Sequence, residues 1–176
     1  MPQARFEGEV EALWLVESAV GNDGPDRRMQ LLEDFAFVDP NGTRWLAPTG
    51  SIIDGASIPR LLWSAAGSPY TGPYRRASVL HDVACDDRAV PSRLVHRMFY
   101  DAMICDGVGQ AQAVEFYTAV RLFGPHWDDP APQPAPTAAR AGKGAAPKRR
   151  AKPKLKKHRR LAFAQVEKAL DAALGE

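Results

Sequence analysis

Two short segments hold the residue types from which a site is most readily built: IDGASIPR at 53–60 and VLHDVAC at 79–85. The first places an acid, Asp54, before two small residues, a hydroxyl at Ser57 and the pair Pro59-Arg60; the second sets His81 beside Asp82. On a helix, neighbours point about 100° apart while positions i and i+4 share a face, so His81 groups with Cys85 and Asp82 with Asp86. Imidazole, thiolate and carboxylate are all donors for a divalent transition metal such as zinc. His96 follows fifteen residues after His81, and two antiparallel helices joined by the short DDRAVPS turn would bring the two imidazoles together. The expected metal ligands are Asp54, His81, Asp82 and His96, with Asp54 or Asp82 as the base that takes a proton from metal-bound water. Asp101, five residues beyond His96, falls on another side. Ser57 and Arg60 are expected to make polar contacts to a ligand, and Ser57 equally suits a helix N-cap. No Ser-His-acid order marks a nucleophile.

A second reading of the same residues is structural. His81 would bond a backbone carbonyl, Asp82 would pair with Arg75, Arg76 or Arg97, and the polar groups would tie a helical cluster to the IDGASIPR loop as a satisfied buried network. Cys85 and Cys105 are too few for a disulfide framework and read as small buried hydrophobes.

The elements that must position these residues change type near Pro59. Phe6 to Leu15 puts Glu7, Glu9 and Glu11 on one side and Gly8, Val10 and Ala12 on the other, the period-two pattern of one half-buried strand. Met29 to Val38 and Thr43 to Pro48 read as strands around DPNG, whose Pro40, Asn41 and Gly42 supply hairpin turn chemistry. From Pro59 the period is helical: RLLWSAAG ending at Gly67; Tyr74 to Asp87 with Ala77, Leu80 and Ala84 on one face; Pro91 or Ser92 to Gly107 with Leu94, Met98, Ala102 and Cys105 on one stripe; and Gln110 to Phe123. The predicted class is α+β, a small N-terminal antiparallel sheet followed by a cluster of about four helices.

Hydrophobic residues at 45%, with 9% aromatics, can fill one core in a chain of 176 residues. The net charge of +2 conceals a division: residues 1–130 carry 11 Arg, no Lys and 18 acids, about −7, while residues 131–176 carry 12 Lys or Arg and 3 acids, +9. Residues 1–130 are therefore expected to form the globular unit and 131–155, rich in Pro, Ala, Lys and Arg, a disordered linker. The segment 156–176 runs from basic to an amphipathic helix on Leu161, Ala164, Val166, Leu170 and Ala173 or Leu174, whose partner is its own domain, a second copy or a membrane surface. The basic run KRRAKPKLKKHRR, with Arg149, Arg150, Lys156 and Lys157, suits nucleic-acid phosphates, and the −7 unit is an alternative partner for it at high effective concentration. No window approaches the roughly 18 apolar residues of a membrane span, and MPQARFEGEVEALW lacks the form of a signal peptide.

The runs GSIIDGASIPRLLW, GPYRRASVLHDVACD, SRLVHRMFYDAM followed by GV, and FYTAVRLFG, in that order over roughly residues 28 to 127, resemble the uncharacterised family thirteen fifty-three among the domains of unknown function, found in tailed phages, prophages and bacteria. In that family the loop reads like TDLASIPR and the helix like HDYLY, so Asp54, Ser57, Pro59, His81 and Asp82 fall on matching positions. Cys85 stands where the family tends to have an aromatic, and His96 where it tends to have Asp, one metal-ligand type exchanged for another. The resemblance implies a phage or prophage origin, in the cytoplasm of a bacterial host or in the virion, and no particular activity. Two functional readings stay open: an accessory or structural protein with phage structural proteins or nucleic acid as partners, and a metal-dependent hydrolase of phosphoester or peptidoglycan bonds.

Overall fold

The DPNG turn behaves as its residues require. Asp39 turns its Oδ1 back to accept the backbone N–H groups of Asn41 (2.8 Å) and Thr43 (2.9 Å), and Gly42 takes a positive φ of 90° that a side chain would resist. The turn joins strands β4 (Phe35–Val38) and β5 (Arg44–Ala47), paired antiparallel with Val38 opposite Arg44. Strand β1 (Arg5–Glu7) adds to the other edge of β4, with Phe6 opposite Phe37, giving the order β1-β4-β5. A second antiparallel sheet has the order β2-β3-β6, from β2 (Ala12–Trp14), β3 (Met29–Leu31) and β6 (Ile52–Ile53). This computed structural model describes residues 3–15, 28–54, 72–128 and 162–175. The predicted helix at 59–67, with Ser57 and Arg60, lies outside the described residues, as do Arg149, Arg150, Lys156 and Lys157.

The α+β class stands, and the strands divide differently from the pattern's suggestion. Phe6 to Leu15 is two strands in two sheets. Gly8 adopts φ 81°, and a Cβ there would meet the Asp34 carbonyl oxygen at 2.9 Å, so the chain turns where the polar-apolar alternation runs on unbroken. Met29 to Val38 likewise breaks between Leu31 and Phe35. There the Asp34 carboxylate accepts both the backbone N–H and the hydroxyl of Thr49 at 2.8 Å, which holds its pKa below the usual carboxylate range.

Four helices follow among the described residues: α1 (Arg75–Asp87), α2 (Ser92–Cys105), α3 (Gln110–Phe123) and α4 (Phe163–Leu174). Helix α1 packs on β4, β5 and β6 on one side and on α2 on the other. Helix α2 ends in a turn where Val108 N–H reaches the Met103 carbonyl and Gly107 takes φ 85°, the left-handed position that glycine favours at such ends. Its buried residues include Val95, Met98, Phe99, Ala102 and Met103, whereas Leu94, expected on the apolar stripe, is exposed. Because both α1 and α3 pack on α2, the buried surface is wider than one i, i+4 row.

Of the partners considered for the C-terminal amphipathic helix, the structure places its own chain against it. Phe163 of α4 stacks on Tyr100 with ring centroids 3.6 Å apart. Arg97 donates to both carboxylate oxygens of Glu167 (3.0 and 2.9 Å), and Arg121 donates to Asp171 (2.9 Å). Leu170 is buried against the core. No helix among the described residues is long and apolar enough to cross a membrane.

Candidate functional site

The spacing of VLHDVAC and the antiparallel course of α1 and α2 decide which side chains meet. His81 and Cys85, one turn apart on α1, face α2, with Cys85 Sγ 3.7 Å from His81 Nε2. His96 on α2 brings its Nδ1 to 2.9 Å from the same His81 Nε2. All three residues are buried, the two histidines completely. The three donor atoms lie within 4.8 Å of one another, and these residues form the one group of His, Cys, Asp or Glu among the described residues close enough to share an ion. Phe99 packs against the His81 ring at 4.7 Å, and His126 meets the His96 ring edge-on at 6.0 Å.

A backbone contact assigns the protons. His96 Nε2 lies 3.1 Å from the carbonyl oxygen of Pro125, an acceptor only, so Nε2 carries the hydrogen and Nδ1 the lone pair. His81 Nε2–H then donates to His96 Nδ1. Neither ring is charged at neutral pH. Burial, and then the neighbouring His96, hold His81 well below the ordinary imidazole range; burial brings His96 down to about 3, with the Pro125 carbonyl opposing and His126 and Arg121 adding to the fall. A neutral imidazole with an outward-held N–H is the form in which histidine binds a metal.

The carboxylates occupy a separate place. Asp82 is buried, and its Oδ2 accepts the backbone N–H of Asp54 at 2.8 Å, tying the end of β6 to α1. Of the arginines considered as partners for Asp82, Arg76 donates through Nε to Asp106 (3.0 Å) and Arg97 through Nε to Asp101 (3.0 Å). Asp86, at the solvent edge of α1, has its carboxyl pushed up to about 6, first by loss of water around it and then by the like charges of Asp82 and Asp54. Of the four expected ligands, His81 and His96 meet directly; Asp54 and Asp82 meet each other through a main-chain bond and fall outside the cluster that could share an ion.

Cys85 is the member that the expected ligand set omits. Its signal is the i, i+4 spacing from His81, which already put imidazole and thiol on one face. Pro125 is the other, and no sequence pattern marks a carbonyl 29 residues away as the partner of His96. Cys105 keeps a simpler role, its S–H reaching the Ala4 carbonyl at 3.4 Å. Two surface clefts, one of about 410 Å³ against Pro91, Arg93, His126 and Trp127 and one of about 350 Å³ against Asp39, Trp45, Asp87 and Arg97, are lined by none of His81, Cys85 and His96.

A family described as protein of unknown function (DUF1353) matches residues 29–120, a range that holds His81, Cys85 and His96 and ends short of Pro125 and α4. The uncharacterized protein y4jT of Sinorhizobium fredii (strain NBRC 101917 / NGR234) is 44% identical over 103 residues, 58% of this chain and 31% of that protein. The uncharacterized protein y4iH of the same strain is 42% identical over 97 residues, 55% of this chain and 41% of that protein. The chain thus spans less than half the length of either relative. No solved structure matches it.

Proposed function

The chain belongs to the family described as protein of unknown function (DUF1353), and we propose that it is a phage- or prophage-encoded accessory or structural protein, a folded platform carrying a basic segment that contacts nucleic acid. The carrying observation is the complete burial of His81 and His96 in a hydrogen-bonded chain that ends on the Pro125 carbonyl. Polar groups enclosed and satisfied in this way specify one arrangement of helices. They present nothing to a substrate. The division into a unit at 1–130, a linker at 131–155 and a terminal segment at 156–176 is part of the proposal, as is a place in the host cytoplasm or the virion beside phage structural proteins.

Contact with nucleic acid rests on the charge division. Arg149, Arg150, Lys156 and Lys157 would bind phosphates with strong salt dependence, and KRRAKPKLKKHRR contains no aromatic on which a base could stack. The test is fluorescence anisotropy of a labelled DNA duplex with the full chain over a salt series. Replacing the four residues by Gln should weaken binding and flatten the slope of log K against log salt by on the order of 3 to 4. An unchanged slope, or no binding by the unaltered chain, defeats the proposal.

One observation favours the alternative, a metal-dependent hydrolase acting through Asp54, His81, Asp82 and His96 with zinc or a similar divalent ion: the Asp54–Asp82 contact brings the loop acid to α1 beside His81. In that reading Asp54, Ser57 and Arg60 would face the substrate. Phosphoester or peptidoglycan cleavage by the full chain, abolished by Asp82→Asn in a protein that stays folded, would establish it; no turnover with zinc or manganese supplied would remove it.

A further inference from the structure

We propose that His81 Nε2, His96 Nδ1 and Cys85 Sγ form a structural binding site for a thiophilic transition ion of the zinc type, a clasp joining α1, α2 and the segment at Pro125. This inference does not depend on the basic segment. The donor set differs from the one read from the sequence, with a thiolate in place of the Asp54 and Asp82 carboxylates, and that difference favours zinc over magnesium or calcium.

The geometry is close to what the ion needs. Tetrahedral coordination at a Zn–N distance of about 2.0–2.1 Å and a Zn–S distance of about 2.3 Å separates two nitrogens by about 3.3 Å and a nitrogen from sulfur by about 3.6 Å. Here His81 Nε2 and His96 Nδ1 are 2.9 Å apart and His81 Nε2 and Cys85 Sγ 3.7 Å. The third pair, His96 Nδ1 and Cys85 Sγ, lies within 4.8 Å, so closing on an ion asks the two rings to part by a few tenths of an ångström and the Cys85 sulfur to draw in toward His96. Three features separate this cluster from a chance meeting of polar residues. The donors come from two helices and converge on one point. The Pro125 carbonyl holds the His96 N–H on the far side of the ring, the outer contact by which a ligating imidazole is fixed in tautomer and direction. Phe99 on the His81 ring, with His126 and Trp127 around His96, encloses the rings in aromatic surface.

The proton balance is definite. In the metal-free protein His81 carries its hydrogen on Nε2 and donates it to His96. On binding, that hydrogen moves to His81 Nδ1, Nε2 takes the metal, and the Cys85 thiol loses its proton to solvent as the S–metal bond forms, so one proton is released per ion. The three protein donors leave one position of a tetrahedron for water. The cleft against Pro91, Arg93, His126 and Trp127 adjoins the Pro125 segment.

The experiment is cobalt(II) titration of the full metal-free chain, followed by zinc. The expected result is one equivalent of cobalt with a thiolate-to-metal charge-transfer band and tetrahedral d–d bands, all bleached by one equivalent of zinc. The chain has two cysteines, so Cys105→Ser assigns the thiolate without disturbing the buried cluster: bands that survive it belong to Cys85. His96→Gln and Cys85→Ser, checked for fold by circular dichroism, should each weaken zinc binding at least 100-fold. Absence of a thiolate band from the unaltered chain, or its loss in Cys105→Ser, overturns the proposal whether or not the Cys85 and His96 variants fold.

Discussion

Between α1 and α2 two imidazoles and a thiol meet in the interior; between α2, α3 and α4 guanidinium groups, carboxylates and a phenol meet, with Arg121, Tyr117 and Asp101 buried and Arg97, Glu167 and Asp171 partly exposed. The first set escapes the cost of burying charge by carrying none, since burial, more than any neighbour, drives both rings neutral. An arginine has no such exit. Arg121, fully buried, donates instead to Tyr117 Oη at 2.8 Å and to Asp171 at 2.9 Å, while Arg97 joins Asp101 to Glu167. A neutral cluster can sit anywhere its rings fit. An ionic one must bring its counter-charges along, and here they arrive on a helix 50 to 70 residues away in sequence. The neutral cluster therefore fixes a local crossing of two helices, and the ionic one fixes the position of a distant segment.

The largest effect is expected at His96. His96→Ala removes a fully buried ring and takes from His81 Nε2 and the Pro125 carbonyl the contacts they make with it, so urea denaturation of the metal-free chain should show a loss of about 3–5 kcal/mol. A loss under about 1 kcal/mol would mean the cluster is not part of the cooperative core. Next comes Asp171→Ala. It removes a counter-charge from the buried Arg121 and should cost about 3 kcal/mol, read as faster amide exchange throughout α4 while α1 and α2 keep their protection. Arg121→Met combined with Asp171→Leu should recover most of that loss, because apolar replacement of a whole buried pair is often neutral. If the double variant is as weak as the single one, the ion pair itself holds α4.

Smaller effects sharpen the contrast. Asp82→Asn keeps an oxygen for the Asp54 N–H and removes the charge assistance of that bond, about 1 kcal/mol by thermal denaturation. The last effect shows only at high pH and is the titration of Tyr117, whose hydroxyl is pushed up to about 12, mainly by burial. In the unfolded chain the phenol ionises near 10, so between about 10 and 12 the folded state holds a proton that the unfolded state has lost. Stability is intact below 10 and falls as the pH rises toward 12. Tyr117→Phe should flatten that fall, and an identical pH profile for the variant would place the ionisation elsewhere.

How far the residues themselves disclosed this arrangement varies by element. Helix α3 was readable in full, since Gln110 to Phe123 has a clear helical period and Gly124 follows it. The β4–β5 hairpin was readable from DPNG. The split of Phe6–Leu15 was not, because alternation of polar and apolar residues continues across Gly8 and only the approach of the Asp34 carbonyl demands the turn. At the site, the His81–Cys85 pairing follows from one helical turn, and the nearness of His96 from a short connection. That Asp82 turns to the Asp54 main chain depends on how α1 lies on β6.

By itself the sequence determined the α+β class, the periods and ends of most helices, the charge division at about residue 130 and the shared face of His81 and Cys85, because all of these depend on neighbours within a turn or two of chain. Only the tertiary structure decided that the two sheets part at Gly8, that His96 meets His81 at 2.9 Å with its other nitrogen on Pro125, and that α4 returns to give Glu167 and Asp171 to Arg97 and Arg121. Those contacts are set by the relative placement of whole elements, which arises from the packing of many side chains at once and leaves no short-range mark in the chain.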